Sequence, residues 1–276
     1  MKPDYKERFL RNIGIMDESQ LERIKSTSVA IGGLGLGGSI FINLVRMGFE
    51  KFHVSDPDTY ERTNVNRQRL AKESTIGIRK DDALIAEARD INPDVRIESF
   101  RDGVNEANVA RFLDGIDYVV DVVDVFALSE KLALNAEAAR RGLPTASCGA
   151  IGFSCSVVVF DRTTPTFAEL TGMSADQPYE ENIQKFVRFI CPEVPAYMKA
   201  QLDKAMRKES YIPFVTPGVE IAAAFAASEI AKDILKLGLR ARAPTGIHID
   251  PVQLKIELYE ASHERGNIRI LRRSAA

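Results

Sequence analysis

The segment Ser28-Val-Ala-Ile-Gly32, followed at once by Gly33-Leu-Gly35-Leu-Gly37-Gly38, constrains this chain more than any other. A short apolar run that enters a glycine-rich turn and then an apolar-periodic segment reads as strand, turn and helix, with the helix over residues 38–47. In that context GxGxxG allows the backbone to approach phosphate closely. It also offers an anion the unpaired N–H groups and partial positive charge of a helix N-terminus. Gly33, Gly35 and Gly38 are therefore candidate nucleotide contacts. The alternative is a turn needed only for strand and helix to pack, and the motif alone does not choose between nucleotides.

The alternation continues downstream. Lys51–Ser55 reads as the next strand, ending in Asp56-Pro-Asp58. A helix over 80–92, a strand over 95–100, an apolar strand over 118–124, the helix Leu128–Arg141 and a strand over 144–148 follow. Past residue 149 the pattern changes to a longer strand over 153–161 and a proline-bearing stretch over 163–216 with two modest helices. A small-residue helix over 218–237 and a strand pair over 246–259 close the chain. These units predict an α/β fold with a Rossmann-like, doubly wound, mostly parallel sheet and an antiparallel C-terminal extension. The expectation is one domain over 1–276, made of a helical lead-in at 1–27, a nucleotide-binding core at 28–161, a crossover or insertion region at 162–217 and the C-terminal helix and strands at 218–276.

Composition narrows the function. With 45% hydrophobic and 28% charged residues the chain can build a real core, which excludes disorder and fibres. Its 37 basic and 39 acidic residues leave a net charge of −2, so a polyanion would have to be held locally. The basic tail over 265–273 reads as a solvated end that could add to local polyanion binding. Three cysteines (Cys148, Cys155, Cys191) without a CxxC pair provide neither a disulfide framework nor a cysteine zinc site, so no zinc is expected. The apolar runs at 151–160 and 218–231 are too short for a bilayer or carry Glu220 and Glu229, so no membrane partner is expected. The polar stretch 1–28 has no leader pattern, and the reading is cytoplasmic.

Asp56 lies 18 residues after Gly38 at a strand end, where a carboxylate suits the ribose hydroxyls of NAD or ATP alike. Asp58 could share that role or cap the turn. The tie is broken by Asn64-Val-Asn66-Arg67-Gln68, Lys80 and Asp124. A guanidinium and an ammonium around one glycine turn would neutralise a triphosphate, whereas a dinucleotide's pyrophosphate needs mainly backbone donors. Asp124, at the carboxyl end of an apolar strand, reads as a Mg²⁺-side carboxylate because a lone charge there would be costly without a ligand or cation. Asp121, three residues earlier, points the other way.

Together with Arg8-Phe9-Leu10-Arg11-Asn12 and Val120-Asp-Val-Val-Asp124, these residues resemble the ubiquitin-activating-type superfamily, the ThiF/MoeB/HesA adenylyltransferases, over about residues 5–160. The resemblance implies an adenylation site: Asp56 on the ribose, Asn64, Arg67, Gln68 and Lys80 around the triphosphate, Asp124 on Mg²⁺. It also implies a homodimer in which Arg11 reaches the phosphates of the neighbouring copy. The reaction it implies is attack of a carboxylate, most naturally the C-terminus of a ubiquitin-like or sulfur-carrier protein or a peptide, on the α-phosphorus of ATP. The family's extended tails, often ending in glycines, would run over residues 149–152. Cys191 is the one cysteine in a plausible place to accept an activated acyl group, with a buried inert thiol as its alternative. The stretch 163–216, with Phe167, Phe186, Phe189, Tyr197 and Phe214, departs from the molybdopterin and thiamine branches and could define the substrate. The spelling around Asn64 and Val119 is also similar to the tRNA threonylcarbamoyladenosine dehydratases, and the opening Arg11-Asn-Ile-Gly14 to bacterial ThiF-like proteins of undefined substrate. Two further classes stay open: a scaffold that only binds ATP, and an NAD-dependent oxidoreductase, which would leave Arg67 and Lys80 without a role.

Overall fold

The computed structural model describes residues 3–207, 209–238, 241–261 and 269–271. Two short helices lead in: α1 (Pro3–Arg8) and α2 (Glu18–Ser26), the second started by Asp17, whose side chain accepts the Gln20 N–H while Gln20 returns a bond to the Asp17 N–H. The chain then alternates β1 (Ser28–Gly32), α3 (Gly35–Met47), β2 (Lys51–Ser55), α4 (Lys80–Ile91), β3 (Arg96–Phe100), α5 (Val109–Phe112), β4 (Tyr118–Asp121), α6 (Leu128–Arg141) and β5 (Thr145–Ile151). It continues with β6 (Ser154–Phe160), α7 (Phe167–Thr171), α8 (Tyr179–Ile190), α9 (Lys199–Met206), α10 (Thr216–Leu235), β7 (Thr245–Asp250), β8 (Lys255–Glu260) and β9 (Arg269–Leu271). The basic stretch 265–273 lies outside the described residues except for the β9 backbone.

All nine strands form one sheet in the order β3-β2-β1-β4-β5-β6-β7-β8-β9. Strands β3 to β5 pair in parallel and those from β5 to β9 antiparallel, as the sequence predicts. Alternation along β1 sends Val29 and Ile31 to one face and Ala30 to the other. The first face is covered by α2, α3, α4 and α10, through residues such as Leu21, Phe41, Leu84 and Ile230. Ala30 and Val119 meet Phe112 and Leu134 of α5 and α6 on the second face. A further apolar cluster joins α7, α8 and α9 to β5, β6 and β8.

Because β1 has β2 on one side and β4 on the other, successive crossovers leave β1 in opposite directions, which opens a crevice past the carboxyl ends of these strands. Three boundaries around it differ from the sequence reading. Helix α3 starts at Gly35 rather than near 38, since Leu34 already serves as its N-cap. Strand β4 stops at Asp121 rather than 124. The 162–217 region holds three α-helices, of 5, 12 and 8 residues, rather than two.

Candidate active site

The loop after β1 and the loop after β4 touch. Gly33 has φ +88°, its N–H donates to the Ser55 carbonyl (2.8 Å), and a Cβ there would overlap the Val122 carbonyl. Gly37 is equally constrained, since a Cβ would stand 2.9 Å from Ile31 Cγ2, so this residue lets α3 press on β1. Gly35 faces Gln68 across 3.3 Å. Gly38 differs: its Cβ would meet nothing closer than 3.8 Å, and it does not line the crevice. Spelling had made it the third glycine of the motif, but with α3 starting three residues early it lies inside the helix.

Asp56 is buried at the end of β2. One carboxylate oxygen accepts the Leu34 N–H (2.6 Å); the other accepts the Asp58 N–H (2.9 Å) and lies 3.4 Å from Lys80 Nζ. Lys80, at the first turn of α4 and only 5% exposed, donates to exposed Asp58 (2.8 Å). Its charge is therefore countered by two carboxylates, of which the exposed one can swing away for a ligand. Arg79 braces this loop by donating to the carbonyls of Asp56 (3.2 Å) and Arg101 (2.9 Å), and is itself held by buried Asp81 (3.0 Å).

Arg67 donates to the Thr63 carbonyl and to Asn66 Oδ1, both at 2.9 Å, and its guanidinium lies 4.5 Å over the Phe214 ring. Burial pulls its pKa below the ordinary arginine value, and Asp124 opposes that pull. Its Nε and the buried Oε1 of Gln68 both lack a protein partner. A buried donor and acceptor left open in one crevice are what a bound polar ligand would satisfy.

Three expected site residues are placed otherwise. Asn64 does not line the crevice. Its Oδ1 accepts the Glu61 N–H (3.0 Å) and closes a three-residue 3₁₀ turn, which turns Asn66 inward instead. Asp124 is not a buried charge on a strand: it lies exposed in the loop past β4, where it accepts the Phe126 N–H (3.1 Å). The buried carboxylate is Asp121, paired with Lys131 Nζ (2.8 Å) and bonded to Asn135 (2.8 Å) and Ser147 (3.2 Å). Lys131 and Asn135, one turn apart on α6, were the sequence signal for it. Cys191 is 2% exposed in the α8 cluster, outside the crevice lining, and burial pushes its thiol up to about 12. A neutral, enclosed thiol is a packing group in this arrangement.

Arg11 sits in the exposed turn Leu10–Asn12. Asn12 bonds to the Met47 carbonyl (3.1 Å) and Tyr5 to the Gly48 carbonyl (2.7 Å), so this turn is fixed at the far end of α3. Thirteen helical residues put it about 20 Å from the glycine turn. Arg11 therefore cannot join its own chain's crevice.

Whole, the crevice is a cavity of about 790 Å³. Its lining charges, Asp56, Asp58, Arg67, Lys80 and Asp124, all come from loops and a helix start. The uncharged lining includes residues 148–150 of β5, Phe186 and Ile190 of α8, Val219 of α10 and a strap over 211–215, whose Phe214 lies against Arg67. Backbone bonds between Gly152 and both Pro213 (2.8 Å) and Val215 (3.1 Å) hold that strap, and Asn66 donates to the Phe214 carbonyl (3.2 Å). Of the aromatics in the 163–216 stretch, Phe167 and Phe189 are core, Tyr197 is half-exposed, and Phe186 and Phe214 reach the cavity.

No cluster of three metal-ligating side chains occurs among the described residues. Asp124 is the lining carboxylate not paired to Lys80, and Mg²⁺ characteristically takes one or two carboxylates plus waters and substrate phosphates. The donor set thus fits Mg²⁺ arriving with a nucleotide, rather than a resident metal cage. No described helix is long and apolar enough to cross a membrane.

The tRNA threonylcarbamoyladenosine dehydratase of Bacillus subtilis (strain 168) is 32% identical over 182 residues, 65% of this chain and 67% of that protein. The SAMP-activating enzyme E1 of Haloferax volcanii is 33% identical over 142 residues, 50% of this chain and 52% of that protein. The chain thus spans about half to two thirds of the length of these relatives. Among solved structures, PaaA superposes with a TM-score of 0.72 at 18% identity, covering 94% of this chain and 84% of that one. The Escherichia coli tRNA N6-threonylcarbamoyladenosine dehydratase in complex with AMP gives 0.66 at 20% identity, covering 85% and 97%. At these identities the two structures establish the fold alone. The ThiF family matches residues 9–270, nearly the whole chain, and the protein belongs to it.

Proposed function

We propose that this chain is an ATP- and Mg²⁺-dependent adenylyltransferase, a single domain that activates the C-terminal carboxylate of a small protein or peptide. The observation that carries this reading is the open polar pair, Arg67 Nε and Gln68 Oε1, buried beside Asp56 and Lys80 in one crevice. Asp56 takes the ribose; Arg67 and Lys80 take the phosphates, with Lys80 exchanging Asp58 for a phosphate oxygen, and the open Gln68 Oε1, an acceptor, takes a hydroxyl or amino donor of the nucleotide. Asp124 would hold Mg²⁺, which when bound neutralises charge on the phosphates.

The reaction needs no nucleophile from the protein. A substrate carboxylate oxygen forms a bond to the α-phosphorus, the bond to the bridging oxygen of the β-phosphate breaks, and pyrophosphate leaves with the electron pair. Two anions must meet, so the enzyme's work is to position them and to offset charge as it moves onto the leaving group. Arg67 faces that junction with its guanidinium already oriented by Thr63, Asn66 and Phe214. Arg11, exposed and flanked by exposed Leu10, Ile13 and Ile15, serves the phosphates of a second copy in a homodimer.

A second reading, a tRNA threonylcarbamoyladenosine dehydratase-like enzyme that adenylates a carboxylate on RNA, has the 32% relative in its favour. The uncharged part of the cavity lining supports the first instead. Exchange of labelled pyrophosphate into ATP, driven by an acyl substrate, tests the proposal. Arg67→Ala and Arg11→Ala should each lower exchange at least a hundredfold with melting temperature unchanged, and mixing the two variants should restore part of it. Full exchange by Arg67→Ala would remove the phosphate assignment.

A further inference from the structure

The cavity is divided by chemistry. Its charged residues all lie on the loops after β2 and β4, the 63–68 loop and the start of α4; those contributed by β5, α8, α10 and the strap carry no charge. The acyl half is thus lined by Phe186, Ile190, Ile212, Phe214 and Val215. Helix α8 presses on its floor so closely that a Cβ at Gly149 would be 3.0 Å from Ile190 Cδ1. Residues 179, 183, 186 and 190 form one stripe of α8. That stripe continues to the rim, where Tyr179 stacks on Phe126 at 5.9 Å and an interplanar angle of 13°. Among the lining residues, Phe126 is 54% exposed and Tyr211 74%. The uncharged lining therefore includes both Phe214, against Arg67, and side chains open to solvent.

From this we infer that the acyl substrate is a peptide or protein C-terminus whose last two side chains are apolar, leucine- or phenylalanine-like, rather than a diglycine end or a charged one. The inference rests on the adenylation reading and commits to one occupant. Continuity with the nucleotide end requires a carboxylate beside Arg67, and a lining that reaches the surface fits an extending chain rather than a small free acid. A diglycine tail would leave the aromatic walls in contact with water, whereas apolar side chains displace that water and gain in binding. An aspartate, glutamate or lysine at either position would lose its hydration against walls that offer no partner. The adjacent Asp124 and Arg67 pair is needed at the phosphates.

The test is pyrophosphate exchange with N-acetylated tripeptides ending Ala-Leu-Leu, Ala-Leu-Phe, Ala-Gly-Gly, Ala-Asp-Asp and Ala-Lys-Lys, with ATP binding followed by calorimetry in parallel. The apolar ends should exceed the others by tenfold or more in kcat/KM. Phe126→Ala, at an exposed rim position, should shrink that margin mainly through KM; Phe186→Ala, in the wall, should do the same and is read only if its melting curve stays cooperative. Equal or better exchange with the diglycine or charged ends, or exchange with none of the peptides while ATP binds, overturns this inference and leaves the adenylation reading standing. Absence of ATP binding overturns both.

Discussion

Gly33 and Gly38 share one motif in the sequence and do different jobs in the structure. The first is held at positive φ under the Val122 carbonyl; the second, inside α3, has room for a Cβ in ordinary contact with Leu84 and Tyr60 at 3.8 Å. Gly33→Ala should therefore destabilise the chain and abolish nucleotide binding. Gly38→Ala should leave binding intact and raise stability by about 0.5–1 kcal/mol, as alanine does for glycine in a helix. Melting curves and ATP calorimetry on the two variants check this, and comparable damage in both would contradict the placement of Gly38. The same scale shows why some positions could not be read ahead. Asn64 and Asn66 are two residues apart, and only the short turn closed by Asn64 on Glu61 determines which amide faces inward. Asp121 and Asp124 look alike in an apolar run; which is buried depends on where β4 ends and on Lys131 and Asn135 arriving from α6. Asp56 and Lys80 were legible because strand ends and helix starts are strong local signals, and those ends converge on the crevice.

At the scale of elements, strand-helix alternation carried the parallel half of the sheet, because apolar runs and glycine turns are properties of neighbouring residues. The strap over 211–215 was not legible as a wall of the site, since its place depends on bonds to Gly152 and Asn66, sixty and nearly one hundred and fifty residues away. Strands β6 and β7 hide a second long-range arrangement. Ser156 donates to the Ile190 carbonyl (2.8 Å), so the hydrogen between Ser156 and His248 Nδ1 (2.9 Å) belongs to the imidazole. The serine proton is thus committed away from the histidine, and this buried pair is a structural link rather than a nucleophile and base. Burial lowers the His248 pKa to about 4, against the opposing pull of Asp250; Lys255 acts with burial and Glu193 against it. A folded pKa below the unfolded value near 6.5 means that the unfolded chain binds the extra proton first. Stability from this group is full above about pH 6.5 and is lost as pH falls toward 4, by about 3 kcal/mol. Melting temperature should drop over that range, with a shallower slope in His248→Asn; an identical slope would assign the acid sensitivity elsewhere.

Across the whole molecule, the near-zero net charge and the gathering of charged side chains around one cavity point the same way. The protein has no broad polyanion-binding surface evident in its composition and instead gathers two cations and three carboxylates where β1, β2 and β4 end. Arg11 lies at the opposite end of α3, and the proposed homodimer is what would bring it within reach of a crevice. The crevice is proposed to take a triphosphate with Mg²⁺ and not a dinucleotide. Calorimetric titration of the intact chain with ATP·Mg²⁺ and with NAD⁺, repeated on Asp124→Ala, tests it most directly. ATP should bind, at least tenfold more weakly in the variant, and NAD⁺ should give no heat. NAD⁺ binding that is indifferent to Asp124 would contradict it.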